Sequence, residues 1–382
     1  MTTIYLIRHG QAEGNLYRRC HSWYNGLLTL KGREQVKALE KRFDGVHFDA
    51  VYSSDLYRAM ATAGAIYRPR GLTLRIDPNL REIGAGVWED VMWGQILHDH
   101  RDSLTSFLHC DPAWSVEGSE TFPQVRRRVQ AAVERIAATH PDQTVAVVSH
   151  GCAIRAGLSV WLGLDVSEMG TLPLANNTGV AKLEAENGQI KVAYYNDDSH
   201  LATTVALPKA STAYGISGME RNAIRFRPLL LPQENQQYLA ARRDGWQASH
   251  GTMDGFDGDK FLAVAQENSV QDQNCVLLAL LGDTPMGMLQ MDWRHEADQQ
   301  VGRVPFLYIA PEFRSKGLGV QLLGQAVCTY RNMGRQVLRL RCAPENEWAK
   351  KFYQSHGFYK VGEESGGIGH LDTMEKYIGL EL

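Results

Sequence analysis

Cysteine pairs, long apolar runs and an excess of positive charge are the features that this sequence lacks. Its six cysteines include no pair at CxxC spacing, which argues against a zinc knuckle or a disulfide scaffold and fits a reducing cytoplasm. No apolar run approaches the roughly 18 residues that span a bilayer, and the N-terminus enters a strand pattern without a signal-peptide pattern. The net charge of −3 provides no overall positive field for nucleic acid or an anionic membrane.

The composition is that of a globular protein, and the length indicates two domains. The hydrophobic share is 44% and the charged share is 22%, both ordinary values for such proteins. A length of 382 residues favours two domains over one. Residues 206–222 are rich in small and polar side chains, so we predict a linker there, between a domain of residues 1–205 and a domain of residues 223–382.

The chemistry of the first domain is centred on residues 4–15, IYLIRHGQAEGN. The apolar run Ile4–Ile7 predicts a short buried strand. At its carboxyl end, where parallel sheets commonly bind ligands, stand Arg8, His9 and Gly10. A neutral imidazole can attack phosphorus, an arginine can hold the phosphoryl oxygens, and a glycine lets a substrate approach the backbone. The tripeptide alone also fits a histidine that only caps a strand end.

Three later segments bring side chains suited to the same chemistry. Arg58 lies in SSDLYRAMATA, in a predicted helix that follows a strand over residues 49–53. His150 follows an apolar strand over residues 145–148, so we expect two imidazoles near one phosphate. Glu82 stands beside apolar residues, where a carboxyl group can remain protonated and serve as the general acid for a leaving alcohol.

In this order, and together with Asn15, these segments resemble the histidine phosphatase superfamily, which includes cofactor-dependent phosphoglycerate mutases. The resemblance covers about residues 1–205 and implies a three-layer α/β, phosphoglycerate mutase-like fold. It implies metal-independent hydrolysis of a small phosphomonoester through a phosphohistidine at His9, with Glu82 as the acid. The other residues that it implies hold the phosphoryl group or the substrate: Arg8, Arg58, His150, Gly10, Asn15 and Gly151.

Other interpretations of the first domain remain open. Mutases of this family carry a larger insertion to enclose a bisphosphorylated intermediate, and the connection from Glu82 to His150 is fairly short, so we favour hydrolysis over a mutase reaction. Cys152 could be taken for a nucleophile, but a small buried residue beside the site explains it better. The histidines between residues 91 and 120 show no metal-ligand spacing, so we predict no metal.

The second half combines strand patterns with an anion-binding turn. Apolar runs predict strands over residues 261–266, 276–282 and 287–293. A further strand over residues 306–309 leads into residues 314–319, RSKGLG, and then into an apolar-faced helix. Glycines at a strand-to-helix turn expose backbone N–H groups at a helix N-terminus, which suits a pyrophosphate. The GxxxxGK[ST] order of a P-loop is absent.

This turn, together with NEWAKKFYQSHGF over residues 346–358, resembles the GNAT acetyltransferase family, and the resemblance covers about residues 223–382. It implies an α/β GNAT (acyl-CoA N-acyltransferase) fold, acetyl-CoA as co-substrate and a small amine as acetyl acceptor. Tyr353 is then expected to protonate the coenzyme A thiolate as it leaves. The residues implied in acetyl-CoA binding are Arg314, Ser315, Lys316, Gly317, Leu318, Gly319 and Asn346.

The second domain departs from the GNAT pattern at the general base. The family often places a carboxylate on the central strand, and residues 304–309 contain none. Asp292 or Glu296 could accept the proton through a water, and a domain that senses acetyl-CoA without catalysis is the alternative. Two activities in one chain suggest sequential steps on one amine-bearing metabolite. Neither pattern determines the oligomeric state.

Overall fold

The computed structural model describes residues 1–201 and 215–380 of the chain. The chain divides into two compact units: the N-terminal unit, made mainly of residues 1–219, and the C-terminal unit, made mainly of residues 220–381. Of the predicted linker, residues 206–214 lie outside the described part, and Ile216–Asn222 forms a helix. Within the described residues, no helix combines the length and the apolar character needed to cross a membrane.

The N-terminal unit is built on a mixed sheet. Its described strands are β1 (Thr2–Arg8), β2 (Ala50–Ser53), β3 (Leu74–Ile76), β4 (Thr144–Ser149), β5 (Val180–Glu186) and β6 (Gln189–Asp197). They stand in the order β3-β2-β4-β1-β5-β6, in which the first four are parallel, β5 is antiparallel to β1, and β6 is antiparallel to β5. The helices up to residue 222 are α1 (Glu13–Tyr17), α2 (Leu30–Arg42), α3 (Tyr57–Tyr67), α4 (Trp93–Asp99), α5 (Arg101–Leu108), α6 (Phe122–Thr139), α7 (Gly151–Trp161) and α8 (Ile216–Asn222).

Helices cover both faces of this sheet. On one face, α2 and α3 pack over β1, where Ile7 lies in one buried cluster with Leu39 and Ala63. The side chain of Leu6 alternates to the opposite face and is also fully buried, and α6 and α7 contact β1. Helix α2 begins after Thr29, whose side chain accepts a hydrogen bond from a backbone N–H of the first turn. The expected three-layer α/β fold is confirmed.

The ends of β1 and β4 bring the two predicted histidines together. The strands are parallel, and their register pairs Arg8 with Ser149, so both strands end at the same level of the sheet. Both strands are apolar and buried, as is usual when helices cover both faces of a parallel sheet. His9 and His150 follow these strands immediately and therefore emerge side by side at the carboxyl edge.

The C-terminal unit holds a second mixed sheet. Its described strands are β7 (Ile224–Pro228), β8 (Val276–Leu281), β9 (Thr284–Asp292), β10 (Val301–Ile309), β11 (Val337–Cys342), β12 (Tyr359–Ser365) and β13 (His370–Tyr377). They stand in the order β12-β13-β11-β10-β9-β8-β7. The helices are α9 (Asn235–His250), α10 (Gly258–Gln271), α11 (Gly319–Asn332) and α12 (Glu347–Ser355).

The two central strands of this sheet separate along their length. Strands β10 and β11 are parallel and pair only between Val301–Val304 and Val337–Leu340. Beyond that point β10 continues to Ile309 with β9 as its neighbour, while β11 continues against β13. The separation leaves one edge of β10 open in the middle of the sheet, just before the turn that leads to α11.

The predicted strand over residues 261–266 is wrong, because this segment lies inside α10. A short apolar run fits a buried strand and a helix equally well. Here the side chain of Asp257 caps a helix by accepting from the N–H of Lys260, and only one face is buried: Ala265 is fully buried, whereas Val264 is 39% exposed. The helical period of burial, and not the run of apolar letters, identifies the element.

Candidate active sites

His9 lies directly after β1 and is buried, with 4% of its surface exposed. Its Nδ1–H donates to the carbonyl of Gly10 at 2.7 Å, because a carbonyl oxygen can only accept. The lone pair is therefore on Nε2, which accepts from the Nε–H of Arg58 at 3.3 Å. Burial, followed by the charges of Arg58 and Arg8, holds the pKa of His9 well below its ordinary value of 6.5, so the ring is neutral at neutral pH.

His150 is fully buried beside His9, with the two ring centroids 5.2 Å apart. Its Nε2 lies 2.6 Å from Ser54 Oγ, which itself accepts from the N–H of Leu56 at 3.4 Å. Within the described part of the chain, Nε2 is the one acceptor for the Ser54 hydroxyl, so we assign the hydroxyl proton to this bond, which places the histidine proton on Nδ1. Among the described residues the buried Nδ1 has no partner. Burial, and then Arg58, hold the pKa of His150 well below its ordinary value, so it is a neutral donor.

Two arginines supply positive charge to the same place. Arg58, in the first turn of α3, is 1% exposed, and its Nη1 and Nη2 donate to the carbonyls of Tyr24 and Ser22 at 3.1 and 2.7 Å. Burial lowers its pKa to about 10, which leaves it charged at neutral pH. Arg8 donates to the carbonyl of Ala175, and its buried Nε has no acceptor within the described ranges. Two guanidinium groups beside two neutral imidazoles form an anion site.

Glu82 lies in the loop after β3, and its carboxyl group is held at the start of α7. One oxygen accepts from the N–H of Ala153 at 2.9 Å and the other from the N–H of Cys152 at 3.1 Å. Arg128 fixes the loop by donating to the carbonyls of Glu82 and Arg81 at 2.8 and 2.7 Å. Backbone N–H groups at a helix N-terminus, and not the expected apolar wall, are thus the immediate neighbours of this carboxyl group.

The three residues predicted to bind substrate make contacts that shape the site. A Cβ at Gly10 would lie 3.0 Å from the carbonyl oxygen of Gly32, so glycine allows the end of β1 to pack against α2. A Cβ at Gly151 would lie 3.4 Å from the guanidinium carbon of Arg8, so glycine leaves room for that side chain. Asn15 accepts a backbone N–H at the start of α1. Their contact with substrate stays a prediction.

In the C-terminal unit, the predicted anion-binding turn connects β10 to α11. Residues 314–317 are exposed, and Gly317 has a φ of +71°, which favours glycine. Arg314 donates to the carbonyl of Ile309 at 2.9 Å and forms an ion pair with Asp244. The first N–H groups of a helix have no acceptor within it, so the start of α11 presents donors beside the open edge of β10.

Tyr353 and Asn346 lie on α12 and at its start. Tyr353 is 9% exposed, and burial raises the pKa of its hydroxyl, which is therefore protonated at neutral pH. Asn346 caps the helix, since its side chain accepts from the N–H of Ala349 at 3.0 Å, and its Nδ2 donates to Ser249 Oγ at 3.3 Å. The contacts of Asn346 are those of a helix cap, and its role in cofactor binding stays a prediction.

Comparison with known families agrees with this geometry. Residues 4–198, which contain the two histidines and both arginines, match the Histidine phosphatase superfamily (branch 1). The chain belongs to the histidine phosphatase superfamily. Residues 237–358 match the Acetyltransferase (GNAT) family, so a GNAT domain follows the phosphatase domain. Both resemblances drawn from the sequence motifs are confirmed.

Individual relatives cover the phosphatase domain. Phosphoserine phosphatase 1 of Hydrogenobacter thermophilus is 26% identical over 201 residues, which are 53% of this chain and 95% of that protein. The Proteus mirabilis protein named "Probable phosphoglycerate mutase GpmB" is 28% identical over 187 residues, 49% of this chain and 86% of that protein. The solved structure of Bacillus stearothermophilus YhfR is 30% identical and superposes with a TM-score of 0.51, covering 53% of this chain and all of that one.

Sequence reasoning missed three residues that position the catalytic candidates of the phosphatase domain. Ser54 contacts His150, Thr62 accepts the N–H of the glycine in the RHG segment at 2.9 Å, and Asn177 donates to the carbonyl of His9 at 3.0 Å. Thr62 stands four residues after Arg58, so both lie on one face of α3, which is a signal that the sequence contains. Asn177 lies in a turn that carries no such signal.

Cys152 is beside the phosphatase site but is not set up as a nucleophile. Burial, and then the charge of Glu82, raise the pKa of its thiol well above its ordinary value, so the thiolate is disfavoured. This agrees with the interpretation of Cys152 as a small residue that packs next to the site.

One cluster of potential metal ligands occurs among the described residues, on β12 and β13. It consists of Glu363, His370 and Asp372. Lys360 forms ion pairs with Glu363 at 2.7 Å and with Asp372 at 2.6 Å, so one ammonium group already bridges the two carboxylates.

The two candidate bases of the GNAT domain are both engaged in other contacts. Asp292 accepts the N–H of His295 at 3.0 Å, within its own turn. Glu296 forms ion pairs with Arg339 and, at 3.3 Å, with Arg303. Among the described residues, the side-chain contacts of Asp292 fall on Oδ1 alone, whereas both oxygens of Glu296 face arginines. The general base stays unassigned.

Proposed function

We propose that this chain is a bifunctional enzyme that hydrolyses a phosphomonoester through a phosphohistidine at His9 and acetylates an amine with acetyl-CoA. The observation that supports the first activity best is the state of the His9 ring. Its Nδ1–H is held by a carbonyl, and its Nε2 lone pair lies beside Arg58 and His150 in a buried site. A neutral, oriented nucleophile among cationic groups is what attack on a phosphate requires.

In the first step, His9 Nε2 attacks phosphorus and the bond from phosphorus to the ester oxygen breaks. Glu82 gives its proton to the leaving oxygen, so the alcohol departs neutral. Arg8 and Arg58 hold the phosphoryl oxygens, and the Nδ1–H of His150 donates to the charge that develops on them. These side chains supply the charge stabilisation, so the proposed reaction is metal-independent.

In the second step, water attacks the phosphohistidine. Glu82, now a carboxylate, takes a proton from that water, the bond between phosphorus and His9 Nε2 breaks, and inorganic phosphate leaves. The imidazole lone pair and the protonated Glu82 are then restored for the next cycle.

The substrate class follows from the relatives by analogy. One relative is named for phosphoserine, which carries an amine, and an amine is also what the GNAT domain would acetylate. We therefore propose an amine-bearing phosphomonoester, such that one reaction can supply the substrate of the other. A panel of phosphomonoesters, each paired with its amine-free analogue, tests this by release of inorganic phosphate. Equal rates within the pairs would contradict it.

A mutase reaction is the second candidate, because another relative carries that name. Incubation with 3-phosphoglycerate separates the two reactions by their products. Hydrolysis yields inorganic phosphate, whereas a mutase yields the 2-phosphate isomer without net release. We expect hydrolysis.

His9→Ala tests the nucleophile. We expect release of inorganic phosphate to fall to background, because no other neutral imidazole nitrogen in the site has its lone pair directed to the arginines. His98→Ala, a change of the same kind at an exposed helix position, serves as the control and should keep full activity. Full phosphatase activity in His9→Ala would contradict the proposed mechanism.

For the second domain we propose that acetyl-CoA binds along the open edge of β10, with its pyrophosphate at the start of α11. The amine attacks the thioester carbonyl, the bond from carbon to sulfur breaks, and Tyr353 protonates the departing thiolate. The proton that the amine nitrogen loses goes to water, and water returns a proton to Tyr353. Release of coenzyme A thiol from acetyl-CoA, measured with and without an amine panel, tests the activity. Tight binding of acetyl-CoA without release of coenzyme A in any mixture would instead favour a sensor domain.

A cytoplasmic location stays a prediction from the sequence.

A further inference from the structure

A buried arginine in the GNAT domain has no acidic partner. Arg242 lies on α9 with 8% of its surface exposed. No carboxylate within the described residues forms an ion pair with it, and burial lowers the pKa of its guanidinium. Tyr238 raises that pKa in part, and Arg341, also positive, lowers it. An arginine remains charged in proteins, and a buried charge is costly unless it is paired. Arg242 is therefore a buried cation without a counterion among the described residues.

The polar neighbours of Arg242 accept from it but supply no negative charge. Its Nε donates to the hydroxyl of Tyr238 at 2.8 Å, and its Nη2 donates to Oε1 of Gln290 at 2.6 Å. The arginine fixes the amide orientation, since a guanidinium can only donate and must face the oxygen. The Nε2 of Gln290 is consequently directed elsewhere, and this fully buried atom has no acceptor among the described residues.

Two unsatisfied features thus meet at one place. A buried amide N–H without an acceptor costs about 1–3 kcal/mol, and so it is uncommon in a native site without a ligand. Arg242 and Gln290 are held together by a hydrogen bond, so one bound group could accept from both. That group has to be negatively charged and has to present lone pairs to two donors.

The pair lies beside the central strand β10, with Arg242 on α9 and Gln290 on β9. Gln290 is directly opposite Phe306 in the β9–β10 ladder, and Phe306 belongs to the part of β10 that has separated from β11. The Arg242 guanidinium lies 3.9 Å from the ring centroid of Phe306 and 4.6 Å from that of Phe261. Aromatic rings stabilise the cation but provide no hydrogen-bond acceptor of the kind that its N–H groups require.

We propose that Arg242 and Gln290 bind the carboxylate of the acetyl acceptor, so that the acceptor is an amino acid and not a simple amine. The inference rests on the proposed acetyltransferase activity and specifies its substrate class. A carboxylate has one negative charge and two oxygens, which match one guanidinium and one amide N–H. The carboxylate would hold the acceptor beside β10, along whose open edge we place the thioester.

Matched pairs of acceptors test the proposal. The full-length protein is assayed for coenzyme A thiol release with L-serine against ethanolamine, L-alanine against ethylamine and L-phenylalanine against phenethylamine. We expect kcat/KM to favour the amino acid of a reactive pair by about 10- to 100-fold, the usual range for a charge-assisted hydrogen bond. Equal kcat/KM within every reactive pair would overturn the proposal.

Two variants and a control test whether the preference for amino acids depends on Arg242 and Gln290. In Arg242→Gln, the ratio of kcat/KM between amino acid and amine should fall to about one, mainly through a higher KM for the amino acid. Arg243→Gln removes the adjacent, exposed arginine and should keep the wild-type ratio. Gln290→Glu gives Arg242 a carboxylate inside the protein, so it should also abolish the preference even if Arg242→Gln fails to fold. A preserved ratio in Gln290→Glu would contradict the assignment.

Calorimetry separates this proposal from the activity on which it rests. If no amine releases coenzyme A, the proposed acetyltransferase function fails, but binding of the amino acids can still be compared with binding of their decarboxylated partners. Preferential binding of an amino acid that is lost in Gln290→Glu would support the carboxylate site on its own. Absence of any such preference would refute it.

Discussion

The bond between Ser54 and His150 leads to a prediction that distinguishes positioning from packing. Both residues are fully buried, and the 2.6 Å contact is the one that assigns the His150 proton to Nδ1. In Ser54→Ala, Nε2 of His150 loses its donor, and neither ring nitrogen keeps a partner among the described residues. The ring can then adopt either tautomer or turn, and the Nδ1–H that we assign to the phosphoryl oxygens is no longer held in place.

The size of the effect follows from the lost hydrogen bond. Removing one partner of a buried polar pair costs about 1–3 kcal/mol, and we expect about 1–2 kcal/mol of this to reach the transition state. That range corresponds to a fall of about 5- to 30-fold in kcat. KM should change little, because Arg8 and Arg58 still bind the phosphate.

Ser53→Ala is the matched control. Ser53 is adjacent, equally buried, and donates from Oγ to a backbone carbonyl at 2.8 Å, but it does not contact His150. Both variants should lose comparable thermal stability, and only Ser54→Ala should lose turnover, measured as phosphate release over a range of substrate concentrations. If both variants show the same kcat, the assigned role of Ser54 is wrong and its contact with His150 is only packing.

Three further predictions concern the acid, the histidine charges and the second domain. Glu82→Gln should lower kcat/KM, which reports on formation of the phosphohistidine, far more for alkyl phosphates than for p-nitrophenyl phosphate, whose leaving group needs no proton; an equal loss of kcat/KM on both would exclude a general acid. Because the folded-state pKa values of His9 and His150 are depressed, the stability of the phosphatase domain should be fully present above pH 6.5 and fall below it by up to about 1.4 kcal/mol per pH unit for each histidine. His200, whose pKa burial lowers to about 4, adds to the same slope, so His150→Gln should remove about one third of it in denaturant unfolding at pH 5–7, and an unchanged slope would contradict the burial argument. Tyr353→Phe should lower kcat for coenzyme A release by about 10-fold or more with little change in KM for acetyl-CoA, whereas an unaltered kcat would make Tyr353 a core residue.

The strand ends show best how far the sequence pattern predicts the structure. The apolar runs over residues 4–7 and 145–148 are local signals, and each strand ends one residue after its run, at Arg8 and Ser149. Helix starts are equally local, as with Thr29, because a cap contacts residues only two or three positions away. The short run over residues 261–266 shows the limit of such signals, since its length fits both kinds of element.

The amino-acid sequence by itself therefore determined the two families, the strand ends that carry the histidines and the turn before α11. Only the tertiary structure decided which groups meet there. Ser54 contacts His150 across 96 positions of the chain, and Arg242 contacts Gln290 across 48. Such contacts depend on strand order and register, which no run of neighbouring residues specifies. The contact with Ser54 decides which nitrogen of His150 carries the proton, and the surroundings of Arg242 decide that this buried arginine lacks a counterion within the described residues.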